Sequence, residues 1–167
     1  RNQRLRDQSP RGTTRPICLR LLTSDALTTD LCMLTDTHCH LDFNKFDEDR
    51  DAVIQRALDA SVERILVPAL EVESSRAVIQ LSNSHPNIFA AVGFHPTDLD
   101  KWNNESIENL HELLRTSKKV VAIGEIGLDY YWVKEPEKQS RQRQVLIEQL
   151  QVAREAGLPV VIHMREE

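Results

Sequence analysis

The sequence has few cysteines, and no two of them form a Cys-x-x-Cys pair. Three cysteines occur among 167 residues, so the sequence predicts neither a disulfide framework nor a zinc knuckle. A run of about 18 apolar residues is also lacking, so we expect no transmembrane helix. With 40% hydrophobic and 28% charged residues, the composition is typical of one globular domain. The odd, unpaired cysteines favour a reducing compartment, and we therefore expect the protein in the cytoplasm.

An excess of positive charge is lacking as well. The net charge is −5, although residues 1–32 carry six arginines against three aspartates, so the remaining residues are still more acidic than the whole chain. A domain of this charge cannot bind duplex DNA through a broad basic surface. Nucleic acid would have to be bound locally, by metal ions or by a few positive side chains at a phosphate.

Residues 1–32 show neither helical nor strand periodicity, and the first residue is Arg1 rather than Met. We interpret this segment as an unstructured or artefactual N-terminal extension, produced by upstream translation or by an error in the gene model. The alternative is a targeting segment, because its start is rich in arginine and poor in acidic residues. Met33 directly precedes the first predicted strand, and residues 33–167 are predicted to form the organised domain.

From Met33 onward, short apolar segments alternate with amphipathic stretches. Strands are predicted at residues 33–37, 64–69, 88–94, 120–123 and 159–163. Helices are predicted within residues 48–61, around 77–81, over 107–114 with Asn104 as N-cap, and over 136–156 with Gly157 at C′. This order indicates an α/β protein with a parallel sheet and right-handed crossovers.

Two architectures fit that order, an open doubly wound sheet and part of a (β/α)8 barrel. No glycine-rich phosphate-binding loop follows any predicted strand, which weakens the doubly wound, nucleotide-binding alternative. Polar residues gather where the strands end, and this favours the barrel, whose chemistry takes place at that edge.

The first strand leads into Asp-Thr-His-Cys-His-Leu-Asp at residues 36–42. Because side chains alternate along a strand, His38 and His40 are predicted to point to the same side and Cys39 to the opposite side. Two imidazoles at this spacing can bind one divalent cation, and Asp36 could orient one of them. The alternative is a chance pair of histidines on a surface strand.

The fourth strand leads into Gly-Glu-Ile-Gly-Leu-Asp-Tyr-Tyr at residues 124–131. A carboxylate at the end of an apolar strand is costly to bury unless it is paired, so Glu125 is predicted to be a metal ligand. A salt bridge with a lysine or arginine of a loop is the alternative. Asp129 is expected to tether the loop rather than to bind metal.

Two further strands also end in cationic or metal-binding side chains. His163 at the end of the fifth strand is predicted to bind metal, and Arg165 to contact a phosphate oxygen. His95, after the third strand, is predicted to contact phosphate or substrate in the active site. A hydrogen-bonded core histidine at 163 and a structural or solvated arginine at 165 are the alternatives.

Other polar and aromatic residues have weaker predictions. Tyr130, Tyr131 and Trp132 are predicted either to stack on bases or to pack the loop that contains them. His85 and His111 do not follow strand ends, and we expect them to be solvated.

The residues that the strand ends bring together are three metal-binding histidines, one further histidine and one carboxylate. They are His38, His40, His163, His95 and Glu125. Such a set suits two divalent ions, with Zn or Mn favoured by the histidines and Mg allowed by added carboxylates. A glutamate between two histidine groups is placed to bridge two ions, and a pair of ions can activate water for attack on a phosphodiester.

In these motifs the sequence resembles the TatD family of metal-dependent hydrolases. The matching segments occur in the family's order and are residues 36–42, 93–96, 124–131 and 159–165. The resemblance implies a (β/α)8 TIM barrel of the metallo-dependent hydrolase type, of which this sequence contains about the first five strands. It also implies a metal-dependent 3′–5′ deoxyribonuclease, active in some members on RNA.

The resemblance further implies roles for individual residues. His38 and His40 would bind the first ion, Glu125 would bridge both ions, and His163 would bind the second. The family takes another histidine and a water-orienting aspartate from later strands, which these 167 residues do not include, so we expect the chain alone to be inactive. Catalytic roles are predicted for Glu125, His95 and Arg165.

Two classes of alternative stay open. A D-aminoacyl-tRNA deacylase or another amidohydrolase-type enzyme would use the same metal site, although several such enzymes bridge their metals with a carboxylated lysine where this sequence has Glu125. The other class is a non-functional truncated product or a binding module. The partner that we expect is a nucleic-acid substrate, DNA and in some cases RNA, bound through its phosphates, with no membrane and no obligate protein partner.

Overall fold

The computed structural model describes residues 33–166, so the predicted N-terminal extension lies outside the described residues. Five strands alternate with four helices, in the predicted order. The strands are β1 Leu34–Asp36, β2 Val62–Pro68, β3 Ile88–Val92, β4 Val120–Asp129 and β5 Val160–Arg165. The helices are α1 Arg50–Asp59, α2 Val72–Ser84, α3 Ser106–Thr116 and α4 Pro136–Ala156. Short 3₁₀ turns occur at Asn44–Phe46 and Leu99–Lys101.

The strands form one parallel sheet in the order β1-β2-β3-β4-β5, so that each strand pairs with the next one in sequence. A doubly wound sheet reverses direction part-way through its strand order, and this sheet does not. The doubly wound alternative is therefore wrong. The order is that of five successive strands of a (β/α)8 barrel, whose functional residues lie at the carboxyl ends of the strands.

The core lies between the sheet and one face of each helix. The central strands are almost completely buried, as Val67, Val92 and Ile123 show. Each helix contributes an inward-facing side chain to the same cluster, namely Ile54, Val78, Leu110 and Val145. Burying each such side chain contributes about 1.5–3 kcal/mol, so the helices hold the strand ends in fixed positions.

Helix α4 begins and ends where the sequence predicts. Pro136 occupies the first turn, where its missing N–H costs nothing. Gly157 closes the helix in the left-handed conformation with φ 65°, which glycine adopts without strain. The predicted N-cap of α3 at Asn104 is wrong, because α3 starts at Ser106 and the turn before it is stabilised by the Asn103 side chain, which accepts the Glu105 N–H at 2.8 Å.

A capping box starts α2. The Glu71 carboxylate accepts the N–H groups of Glu73 and Ser74, and the Ser74 hydroxyl accepts the Glu71 N–H. Burial would raise the pKa of Glu71, but these N–H donors and the nearby Lys101 lower it below its ordinary value. The ionised carboxylate therefore stabilises the helix start.

Several strand ends differ from the prediction, and two of these differences bear on the site. β1 ends at Asp36, so that His38 and His40 lie in the loop that follows it. β4 continues to Asp129, because its glycine-containing end pairs with β5 through Gly127 and His163. Among residues 33–166, no helix has both the length and the apolar character needed to cross a membrane.

Candidate metal centre

Glu125 lies at the centre of a group of histidines. It is 6% exposed. Its Oε2 lies 3.2 Å from His38 Nε2 and 3.6 Å from His40 Nε2. Its Oε1 lies 2.9 Å from His163 Nδ1 and 4.0 Å from His95 Nε2. Within the described part of the chain, the partners of this carboxylate are therefore imidazoles, and not the loop lysine or arginine of the alternative interpretation.

The surroundings of Glu125 keep it ionised. Burial alone would raise the pKa of its carboxyl, but hydrogen bonds from His40 and His163, together with the charges of His38 and His95, lower the pKa to about 2. At neutral pH the carboxylate of Glu125 is therefore a buried negative charge, and a buried charge has to be compensated by a cation or by protonated neighbours.

One group of donors consists of His38, His40 and Glu125, with its ligand atoms all within 4.8 Å of one another. The two imidazole Nε2 atoms lie 3.2 Å apart. Cys39 is partly buried and packs against the core, as predicted, and burial raises the pKa of its thiol. Asp36 acts on the backbone of this loop, since its Oδ1 accepts the His38 N–H at 3.0 Å.

This arrangement fits a divalent cation. When both imidazoles are neutral with their ring protons on Nδ1, two nitrogen lone pairs and a carboxylate oxygen converge, which is unfavourable without a positive charge between them. Three donors of the nitrogen and oxygen type are what Zn and Mn bind in proteins. The Nδ1 of His40 is buried and has no hydrogen-bond partner among the described residues, so hydrogen bonding alone does not account for the position of this ring.

A second group of donors consists of His95, Glu125 and His163, and it shares Glu125 with the first. The Nε2 of His163 lies 2.9 Å from Asp129 Oδ2, while Asp129 Oδ1 accepts the Trp132 N–H at 2.8 Å. Burial would raise the pKa of Asp129, but its bonds to Trp132 and His163 lower it. An ionised Asp129 therefore tethers the loop, and it also holds the Nε2 proton of His163, leaving Nδ1 as the ligand atom facing Glu125.

His95 completes the second group from the loop after β3. Its ring meets that of His163 edge to face, with 4.4 Å between centroids. Burial and the neighbouring His163 lower the pKa of His95. Its Nδ1 lies 2.6 Å from the Thr97 hydroxyl and 3.2 Å from the Thr97 N–H, so the imidazole of His95 is fixed with Nε2 towards Glu125.

The motifs that carry these side chains match a known family. The model of the family described as TatD related DNase matches residues 35–167. The chain belongs to this family. The resemblance predicted from the sequence is therefore confirmed.

Similar proteins support the assignment of this TatD family chain. An Escherichia coli protein named uncharacterized metal-dependent hydrolase YjjV is 43% identical over 136 residues, 81% of this chain and 52% of that protein. The 3′-5′ ssDNA/RNA exonuclease TatD of Cronobacter sakazakii is 34% identical over 131 residues, 78% of this chain and 49% of that protein. The crystal structure of the E. coli YjjV protein, a TatD homolog, superposes with a TM-score of 0.74 at 42% identity, over 81% of this chain and 52% of that one. This TatD family chain thus spans about half the length of the curated relatives it matches, and the predicted barrel fold is confirmed.

Two buried glutamines of the TatD family chain were missed as site-forming residues. Gln149 exchanges two hydrogen bonds with the backbone of Phe94, the residue before His95. Gln142 accepts the Asp129 N–H at 2.9 Å and donates to Pro96 O at 3.0 Å. The detectable signal was a pair of amides two helical turns apart on the buried, largely apolar stripe of α4, where a polar group must find a partner.

Arg165 lies beside the loop that follows β4. Its guanidinium carbon is 4.0 Å from the centroid of the Tyr131 ring and 5.8 Å from that of Trp132. It lies two residues after His163 on β5, and its charge helps to lower the pKa of Asp129. We call the site formed by Glu125 and the histidines around it the histidine site. The structure thus places Arg165 at the rim of the histidine site and stacked on an aromatic ring.

The expectation that His85 and His111 are solvated is wrong. Both rings are partly buried between helices. His85 contacts Leu81 O at 3.2 Å and Asp51 Oδ1 at 3.1 Å, which connects the end of α2 to α1. His111 Nε2 lies 3.6 Å from Glu155 Oε2, which connects α3 to α4.

Proposed function

We propose that this chain is the N-terminal part of a divalent-metal-dependent hydrolase that cleaves phosphodiester bonds, and that the complete barrel is a 3′–5′ deoxyribonuclease. The observation that carries the proposal is Glu125, one ionised carboxylate shared by two groups of histidines. The names of several relatives, among them the 3′-5′ ssDNA/RNA exonuclease of Cronobacter sakazakii, support this class of substrate. A reducing location in the cytoplasm agrees with the free Cys39.

Two ions, of Mg, Mn or Zn, would be held by residues that the structure brings together. His38, His40 and Glu125 would be the ligands for one ion, and Glu125 and His163 would be ligands for the other. When bound, such a pair of ions supplies an activated water and stabilises the leaving oxygen of a phosphodiester. The histidine content of both groups favours Zn or Mn over Mg.

The remaining side chains of the site would bind the substrate's phosphates or orient a metal ligand. His95 accepts the Thr97 N–H at Nδ1, which leaves its proton on Nε2, where it can be donated to a phosphate oxygen of the substrate. Asp129 keeps His163 oriented through Nε2. Arg165 provides a positive charge at the rim that a phosphate can reach.

Metal binding by the 167-residue chain tests the site directly. Isothermal titration with MnCl₂ and with ZnSO₄ should show binding to the wild-type chain and its loss in Glu125→Gln, which keeps the size of the side chain and removes its charge. Glu108→Gln is the matched control, because Glu108 is exposed on α3 and pairs with Arg115 at 2.9 Å. Equal metal binding by wild type and Glu125→Gln would contradict the proposal.

Activity requires the complete barrel, and the 167-residue chain alone is expected to bind metal without hydrolysing nucleic acid. Residues 33–167 joined to the C-terminal half of the E. coli relative should release mononucleotides from the 3′ end of single-stranded DNA. EDTA and Glu125→Gln should both abolish this release. D-aminoacyl-tRNA is the comparison substrate, and its hydrolysis without cleavage of DNA would identify the deacylase alternative instead.

A further inference from the structure

The loop after β4 presents two large aromatic side chains to solvent. Tyr131 is 38% exposed and Trp132 is 67% exposed. Their rings meet edge to face, with 4.7 Å between centroids. The guanidinium of Arg165 lies over the Tyr131 ring at 4.0 Å. We call these three residues, Tyr131, Trp132 and Arg165, the aromatic platform.

The backbone of the aromatic platform is held in place by hydrogen bonds. The Trp132 N–H donates to Asp129 Oδ1 at 2.8 Å, and the Tyr130 N–H donates to Arg165 O at 2.9 Å. The Tyr130 hydroxyl accepts a hydrogen bond from Arg143 at 2.6 Å. Because the loop is already ordered, a ligand that stacks on it does not have to pay for ordering it.

The aromatic platform is joined to the histidine site through one residue. Asp129 bonds the Trp132 N–H with one carboxylate oxygen and His163 Nε2 with the other, at 2.8 and 2.9 Å. The backbone of the aromatic platform is therefore only one side chain, Asp129, away from His163.

Two cationic side chains lie beside the aromatic platform. Arg165 stacks on Tyr131, and Lys134 Nζ lies 5.5 Å from the centroid of the same ring and 3.1 Å from Glu166 Oε2. Aromatic faces flanked by cations are the composition of surfaces that bind single-stranded nucleic acids, in which bases stack while cations contact the phosphates.

We propose that the aromatic platform stacks an unpaired nucleobase of a single-stranded nucleic acid whose phosphate lies at the histidine site. The inference rests on the proposed phosphodiester hydrolase function and names the recognition element that it uses. Bases in a duplex are already stacked on each other, so the aromatic platform selects single strands. Trp132 is the more exposed of its two aromatic rings and provides the main stacking surface.

Binding of two oligonucleotides by the 167-residue chain tests this proposal. One probe is a fluorescently labelled thymidine hexamer, and the other is an abasic strand of the same length with the same phosphates. Each is titrated by fluorescence anisotropy, once with MnCl₂ and once with EDTA. We expect the hexamer to bind more tightly than the abasic strand by about 5- to 150-fold, the factor that corresponds to one stacked base.

Variants test whether Trp132 causes the preference for the hexamer over the abasic strand. Trp132→Ala should lose most of the preference for the hexamer while its affinity for the abasic strand stays the same, and Trp132→Tyr should retain the preference. Ile147→Ala is the control, because Ile147 is an apolar side chain on α4 with 57% exposure and no place in the aromatic platform. In a Trp102→Phe background, Trp132 is the remaining tryptophan, and the hexamer but not the abasic strand should quench its fluorescence.

The two comparisons separate this inference from the proposed function. The difference between MnCl₂ and EDTA reports the metal site, and the difference between hexamer and abasic strand reports the aromatic platform. Three results would overturn the proposal that the aromatic platform stacks a base. They are equal affinity for the two strands, no binding of either strand, and an unchanged preference for the hexamer in Trp132→Ala. A preference for the hexamer that is the same in MnCl₂ and in EDTA would support base stacking on the aromatic platform and would refute the proposed metal-dependent hydrolase function.

Discussion

Replacing Gln149 by leucine should destabilise the fold strongly, although leucine is apolar, similar in size and compatible with a helix. Gln149 is 1% exposed, its Oε1 accepts the Phe94 N–H at 2.7 Å, and its Nε2 donates to Phe94 O at 3.1 Å. Leucine leaves both backbone groups buried without partners, at about 1–3 kcal/mol each. Burying an apolar side chain returns about 1 kcal/mol. We expect the free energy of unfolding to fall by about 1–5 kcal/mol, a large part of the stability of a typical domain.

Urea denaturation followed by far-ultraviolet circular dichroism measures this difference. With a slope of about 2 kcal/mol per molar urea, the midpoint should fall by about 0.5–2.5 M in Gln149→Leu. Gln144→Leu is the matched control on the same helix, because Gln144 is exposed and its side chain bonds only other side chains of α4, those of Arg141 and Glu148. It should change stability by less than about 0.5 kcal/mol. A Gln149→Leu chain as stable as Gln144→Leu would refute the reasoning that these buried amides hold the strand ends.

Three further substitutions test separate features. Glu71→Gln should lower the free energy of unfolding at neutral pH by about 0.5–2 kcal/mol through loss of the ionised cap. Because the folded-state pKa of Glu71 lies below its ordinary 4.5, this difference should be complete above pH 4.5 and shrink as the pH falls through the folded-state pKa. Gly127→Ala should abolish folding, measured by circular dichroism, because a Cβ there would lie 2.7 Å from the carbonyl carbon of His163. Gly157→Ala should cost only about 1–2 kcal/mol in urea denaturation, since the left-handed φ is strained but the surrounding space is open.

These predictions have clear contrary outcomes. A difference between wild type and Glu71→Gln that grows below pH 4.5 would mean that the carboxylate is not stabilised in its ionised form. A well-folded Gly127→Ala chain would show that β4 and β5 do not approach as closely as the structure has them. Gly157→Ala serves as the control for Gly127→Ala, because both remove a glycine with positive φ and only one of them meets a neighbouring backbone.

That the site residues come together could be predicted from the sequence, because parallel strands place all their carboxyl ends at one edge of the sheet. The sequence identified His38, His95, Glu125 and His163 by their position after apolar segments, and the structure brings all four together. Which strands are neighbours could not be predicted in the same way. Periodicity describes how each strand is buried, whereas the strand order depends on the packing of the whole sheet.

The extent of β4 was underestimated for a physical reason. Glycine and glutamate are unfavourable in strands, so residues 124–129 were predicted to lie beyond the strand. Pairing with β5 overrides this preference, since Gly127 lets the backbone of His163 approach and Asp129 pairs with Arg165. The tertiary context of this segment therefore decides its conformation, and the sequence alone does not contain that context.

The helices also show which features depend on neighbouring residues in the sequence and which depend on other elements of the fold. The ends of α4 were predicted correctly because Pro136 and Gly157 act within their own turns. The roles of His85 and His111 were missed because their partners, Asp51 and Glu155, are on other helices. Residues within a helix's own first and last turns determine where it begins and ends. Contacts between helices determine which polar side chains are fixed by a partner.

The contact between His38 and Glu125 has a consequence for the thermodynamics of the protein. These residues follow or belong to β1 and β4, which in a flat sheet would be separated by about 14 Å across three interstrand spacings, yet their side-chain atoms are 3.2 Å apart. The contact therefore exists only when the sheet is curved. A cation bound there would bind the curved sheet and not the unfolded chain, so the concentration of free metal becomes a variable of the folding equilibrium.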